Sequence, residues 1–128
     1  MVNVVVLSGR LVATPELRKT PAGVSVTSFS LAVDRPRFKK EEQKQTDFFE
    51  CVAWRNNAEF ITGFFQKGDM ISLVGALQSR NYTDKKGVKR KIIELIVDQA
   101  SFCGNKKDNS SVAPNPFTEN HPDFEEIN

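Results

Sequence analysis

An all-β fold, a small five-stranded Greek-key barrel with one short helix between its third and fourth strands and a disordered acidic C-terminal tail, is what this sequence predicts. Three observations carry the prediction. Runs of β-branched and aromatic residues alternate with turn residues. Glycines and changes of apolar phase fall inside long strands, where a sheet has to curl on itself. Beyond Phe102 the pattern stops, and residues 105–128 hold Asn, Ser, Pro and acids without periodicity.

The first strand is expected from Val2 to Val12, with a bulge or a close backbone approach at Gly9. Thr14-Pro15 and Thr20-Pro21-Ala22-Gly23 read as turns. From Val24 to Val33 the apolar phase changes, Val24 and Val26 standing in one register and Phe29, Leu31 and Val33 in the other, which predicts a second long strand with a bulge or sharp bend. Asp34 to Gln45 is charged and aperiodic, a loop. Period two returns from Asp47 to Arg55, with Phe48, Glu50, Val52 and Trp54 on one face and Phe49, Cys51, Ala53 and Arg55 on the other. Asn56-Asn57 offers a helix N-cap, Phe60, Ile61, Phe64 and Phe65 follow at helical spacing through Gln66, and Gly68 supplies the stop. Met70 to Tyr82, interrupted by Gly75, and Val88 to Val97 then make a hairpin closed by Asp84-Lys85-Lys86-Gly87. Three strands, a helix and two strands is the arrangement of the OB-fold, whose second and third strands with their flanking loops commonly hold oligonucleotides. The division expected is residues 1–104 as that domain and 105–128 as the tail.

Charge points the same way. Residues 1–107 hold all eighteen Lys and Arg against eleven acids, net +7, while residues 108–128 hold five acids and no cation, so the chain's +2 hides a basic body with an acidic tail. Within the body, rings stand among cations. Phe38 follows Arg35 and Arg37 and precedes Lys39 and Lys40; Trp54 precedes Arg55; Tyr82 lies between Arg80 and a hairpin tip with Lys85, Lys86, Lys89, Arg90 and Lys91. A polymer of flat bases on phosphates calls for that pairing, because every base stacks on a ring and every phosphate attracts a cation. The competing readings are that Trp54 fills the barrel and that the basic cluster is a solvated hairpin tip.

Other chemistries find no support. Cys51 and Cys103 are far apart and the sole His121 is in the tail, so no metal or cofactor is expected. No acid pairs with a histidine, no serine has a base and no Gly-rich phosphate loop occurs, which argues against an enzyme. No secretory leader and no apolar run of roughly 20 residues is present, so no membrane partner and a cytoplasmic protein with reduced thiols are expected.

The chain resembles the bacterial and phage single-stranded DNA-binding proteins of the homotetrameric type. The resemblance runs from residue 1 to about 104, through Val5-Val6-Leu7-Ser8-Gly9-Arg10-Leu11, Thr14-Pro15-Glu16-Leu17-Arg18, Phe29-Ser30-Leu31-Ala32-Val33, Ala53-Trp54-Arg55, Gln66-Lys67-Gly68-Asp69 and Gly75-Ala76-Leu77-Gln78-Ser79-Arg80-Asn81-Tyr82. It implies sequence-independent binding of single-stranded DNA in replication, recombination and repair, a homotetramer, and base stacking on Phe38, Phe48, Trp54 and Tyr82. The cations expected at the backbone are Arg10, Arg35, Arg37, Lys39, Lys40, Arg55, Arg80, Lys85, Lys86, Lys89 and Arg90. The family recruits replication and repair proteins through an acidic tip ending in Pro-Phe; here Asp123, Phe124, Glu125, Glu126 and Ile127 occupy the tip, without a terminal Phe. The shortness of the linker fits a phage, plasmid or accessory version. An OB-type RNA or translation protein and a primosome adaptor that uses its rings for protein contacts are the competing functions.

Overall fold

The computed structural model describes residues 1–37, 39–41 and 43–103. Phe38 and the whole expected tail, including the Asp123 to Ile127 tip, lie outside the described residues. Strand β1 (Val5–Leu11), a two-residue β2 (Arg18–Lys19), β3 (Ser25–Asp34), β4 (Thr46–Trp54), helix α1 (Asn56–Phe64), β5 (Met70–Thr83) and β6 (Lys89–Phe102) follow in that order. The sheet runs β1-β5-β6-β4-β3-β2, and a further β1–β3 pairing closes five of the strands into a ring with β2 attached outside it. All pairings are antiparallel except β4 with β6, which run parallel at Cys51↔Leu95 and Val52↔Ile96. This is the predicted five-stranded OB barrel, with its helix between the third and fourth long strands.

Two glycines let the ring close. A Cβ on Gly9 would lie 2.5 Å from the Ala32 carbonyl oxygen, so the expected close approach is the one between β1 and β3. A Cβ on Gly75 would run into the Ile96 carbonyl and come within 2.8 Å of Leu95 Cδ2, and the β5–β6 register shifts between Val74 and Gly75. That bulge bends the hairpin, so that the base of β5 and β6 belongs to the barrel while the tip projects from it. Inside, Leu31, Cys51, Ala53, Ile61, Ile71 and Leu73 are fully buried, and each large aliphatic among them contributes about 1.5 to 3 kcal/mol by leaving water.

Several local expectations fail, each for a physical reason. β3 has no bulge: it pairs with β4 in one unbroken register from Val26↔Trp54 to Asp34↔Thr46. Its inner face is Ser25, Thr27, Phe29 and Leu31, so small polar residues occupy core positions and disguise the period. Ser25 Oγ donates to Glu59 Oε2 at 2.8 Å, whereas Thr27 Oγ1 is buried without a hydrogen-bond partner among the described residues. Neither Asn56 nor Asn57 caps the helix. Arg55 occupies the N-cap with φ 58° and no side-chain cap, and Asn57 Nδ2 instead donates to the carbonyls of Val97 and Asp98, both at 3.2 Å, tying α1 to β6. The helix stops at Phe64 rather than Gln66; Gly68, with φ 89°, turns the chain into β5. The last strand continues past Val97 to Phe102 because β5 offers it partners as far as Ile71. The first strand begins at Val5 rather than Val2; ahead of it the Asn3 side-chain amide bonds both the N–H and the carbonyl of Leu77, at 3.0 and 2.9 Å.

Candidate nucleic-acid interface

The β3–β4 register fixes which side chains share the barrel's outer surface. Paired residues lie on the same face of a sheet, so the cross-strand rows are Arg10, Ala32 and Phe48; Ser30 and Glu50; Ser28 and Val52, the last covered and only 7% exposed; and Arg18, Val26 and Trp54. Phe48 is 63% and Trp54 42% exposed. Small or half-buried neighbours, Ala32 and Val26, stand opposite the two rings and leave their faces open. The odd-numbered positions Cys51 and Ala53 of the same strand are buried, so the outward positions of the rings are anchored by the core. Trp54 is therefore not barrel filling. Six residues of strand separate the two rings by about 20 Å.

Arg55, next to Trp54, has the only positive φ among described residues other than glycine, with ψ −126°. A side-chain-bearing residue held there costs on the order of 1 to 3 kcal/mol. Its N–H donates to the Ser25 carbonyl at 2.7 Å, which fixes the bend where β4 gives way to α1 and leaves its side chain exposed.

At the other end of the face, the loop between β3 and β4 is clasped at its base. Arg35 makes a paired contact with Asp47, Nε at 2.8 Å and Nη2 at 3.1 Å, and a third bond to Gln45 Oε1 at 3.0 Å. Lys44 and Asp34 pair at 3.2 Å. The hydrogen bond from Arg35 holds the Asp47 carboxyl below its ordinary range, and those from Thr46 and then Lys44 do the same for Asp34. Arg35 thus enters the site already neutralised. Arg37, Lys39 and Lys40 stand exposed in the loop beyond the clasp. Arg10 shares the row of Phe48 and donates to the Gly68 carbonyl at 3.0 Å.

The hairpin tip forms a second basic region. Asp84 organises it: its Oδ1 accepts from the Lys86 and Val88 N–H groups, both at 2.9 Å, and its Oδ2 from Arg90 Nε at 3.0 Å. Tyr82, 41% exposed, has the Arg80 guanidinium carbon 5.8 Å from its ring centroid. Arg80 is itself held by both oxygens of Glu94, at 3.0 and 3.2 Å, which raises the guanidinium's pKa further. Lys85, Lys86 and Lys89 make no ion pair among the described residues, and the paired segments Asn81 to Thr83 and Lys89 to Lys91 line a cleft of 450 Å³. Rings and cations from distant parts of the chain thus make two patches that fit stacked bases and phosphates.

Sequence reasoning missed Arg18, because Leu17 to Lys19 is too short a run for alternation to register. Only the β2–β3 pairing places it in the row of Trp54, with Nη2 3.4 Å from Ser28 Oγ. It also passed over Glu50, an acid on the ring-bearing face, although the period-two reading of β4 had already placed it there.

The sequence model of the single-strand binding protein family matches residues 2–103. The chain is similar to single-stranded DNA-binding protein 2 of Listeria monocytogenes, 38% identical over 128 residues, covering 100% of this chain and 80% of that protein. It is 42% identical over 118 residues to the single-stranded DNA-binding protein of Clostridium tetani, covering 90% and 81% of the two chains. Over 107 residues it is 41% identical to single-stranded DNA-binding protein 3 of Listeria innocua, covering 84% and 67%.

Proposed function

Because this chain belongs to the single-strand binding protein family, we propose that it captures single-stranded DNA with little regard to sequence and keeps the strand unpaired and uncut. One observation carries the reading: Phe48 and Trp54 are exposed on one outer face of a closed barrel, with Arg10 in the row of the first ring and Arg18 in the row of the second. Rings held outward by a buried inner face lose little freedom when a base stacks on them, and each such stack contributes roughly 1 to 3 kcal/mol whatever the base. Lys85, Lys86 and Lys89 draw the backbone toward Tyr82 and release counterions, so affinity falls steeply with salt. Duplex DNA, its bases already stacked on one another, binds far more weakly.

Residues 1–104 act as the binding domain and 105–128 as an acidic tail, and Phe38 with Arg37, Lys39 and Lys40 adds a further stacking position in the β3–β4 loop. The chain works in the cytoplasm as a homotetramer in replication, recombination and repair, without catalysis of its own, and the Asp123 to Ile127 tip receives partner proteins; membership of the family supports these assignments. The sole tryptophan provides the test. Oligo(dT) should quench Trp54 emission at low salt and lose that effect as salt rises, while a duplex of equal length leaves it unchanged. No quenching by oligo(dT) would overturn the reading, and stronger quenching by the ribose homopolymer would move it to RNA.

A further inference from the structure

The ring-bearing face carries one group that works against a phosphate. Glu50 is exposed on β4 between Phe48 and Trp54 and, two and four residues from them, points the same way as both. Along the strand it lies about 7 Å from the first ring and about 13 Å from the second. Ser30 stands directly opposite, and its hydroxyl donates to Glu50 Oε2 at 2.6 Å. Glu50 and Ser30 line a cleft of 260 Å³ together with Ser28, Phe29 and the turn from Val12 to Pro15. No cation pairs with Glu50 among the described residues.

A DNA strand that reaches both rings has to pass this carboxylate. Its phosphates are repelled there, the more strongly as water is displaced from the interface. An ionised carboxylate only accepts hydrogen bonds, so what it can hold is the N–H edge of a base. Thymine offers one ring N–H between two carbonyl oxygens that the carboxylate repels. Cytosine and adenine each offer an amine beside a ring-nitrogen acceptor. Guanine offers N1–H and the 2-amino group side by side, a match for the two oxygens of a carboxylate.

We propose that Glu50, oriented by Ser30, reads the base edge and gives an otherwise tolerant surface a preference for guanine and a bias against thymine at the nucleotide lodged between Phe48 and Trp54. The Val12–Pro15 turn supplies an apolar platform for the face of that base. Phosphates on either side go to the rows containing Arg10 and Arg18, away from the acid. The inference rests on the proposed single-stranded DNA binding, of which it is the specificity.

The test uses the full chain and labelled oligonucleotides of equal length: alternating thymine and guanine, alternating thymine and hypoxanthine, which lacks the 2-amino group, and thymine alone. Lithium buffer disfavours guanine quartets. Affinity should fall in that order, by about tenfold from first to last, the discrimination that one well-placed bidentate contact provides. Glu50→Gln should bring the three affinities together, chiefly by tightening binding to thymine, and Ser30→Ala should reduce the preference in part. Equal, tight binding of all three by the unaltered chain, or an undiminished preference in both variants, removes the base reader while leaving single-stranded DNA binding intact. Failure of the unaltered chain to bind any of the three overturns both.

Discussion

The outer face of β3 and β4 and the tip of the β5–β6 hairpin both bring rings and cations together, but they hold them differently. On the barrel face, Phe48 and Trp54 stand on a strand whose alternate residues Cys51 and Ala53 are fully buried, and the register with β3 is continuous over the whole pairing. At the tip, Tyr82 pairs with Arg90 near the end of the β5–β6 ladder, beside a turn that Asp84 ties together through two backbone N–H groups and Arg90. The face is rigid and sparsely charged, with an acid between its rings; the tip is densely basic and only locally supported. The first arrangement suits base stacking with fixed geometry, and the second suits electrostatic attraction that tolerates movement.

The largest effect expected comes from glycine replacement in the two regions. Gly75→Ala drives a Cβ into the Ile96 backbone where the hairpin leaves the barrel, and unfolding by denaturant should show a loss of roughly 3 kcal/mol, an overpacking that no rotamer relieves. At the tip, Gly87 has φ 83° with nothing near its Cβ position, so Gly87→Ala should cost only about 1 kcal/mol of backbone strain. Equal losses at the two sites would contradict the division into a rigid barrel and a locally held tip.

Next come the rings. Trp54→Ala and Phe48→Ala should each weaken binding of labelled oligo(dT) by about thirtyfold, the middle of the range for one lost stack, and leave the slope of affinity against salt where it was. Replacing Lys85, Lys86 and Lys89 together should do the reverse. The salt slope should flatten by about 2, near 0.7 for each phosphate contact on a single strand, with little loss at high salt. Ring variants that flatten the slope, or lysine variants that leave it intact, would exchange the roles given to the two regions.

The smallest effect is acid sensitivity at the tip. The hydrogen bond from Arg90, then that from the Val88 N–H, holds the Asp84 carboxyl below its ordinary 3.8. A lowered folded-state value means that the tie is fully present above 3.8 and is lost as pH falls through the folded value. Carboxyl titration by NMR should place the Asp84 midpoint below 3.8, with the tip amides losing order over the same range; the Asp34 and Asp47 clasp loosens there too, while the buried stretch of β4 at Cys51 and Ala53 remains unchanged. A midpoint at or above 3.8 would remove Asp84 as the organiser of the turn.

How far the sequence could be read depended on whether the deciding interaction was local. Alternation from Asp47 to Arg55 gave β4 and its two faces, and Asp84 with Gly87 gave the hairpin. Gly9 and Gly75 marked the places where strands come too close for a side chain. The same approach misjudged β3, because Ser25 and Thr27 fill inner positions where apolar residues were expected, and the N-cap, because Asn57 spends its amide on β6 rather than on its own helix.

By itself, then, the sequence determined the order and kind of the elements, the charge of the body and tail, and which rings stood among cations, since all of these follow from residues close together in the chain. Tertiary structure decided the rest. That Arg18 shares a row with Trp54 through Val26 depends on two successive strand pairings. That Arg35 and Arg80 are already engaged by Asp47 and Glu94 depends on partners twelve and fourteen residues away. Which cations are already engaged, and which acid shares the face of the rings, is a matter of register between strands, and register is fixed only when the ring of strands closes over its core.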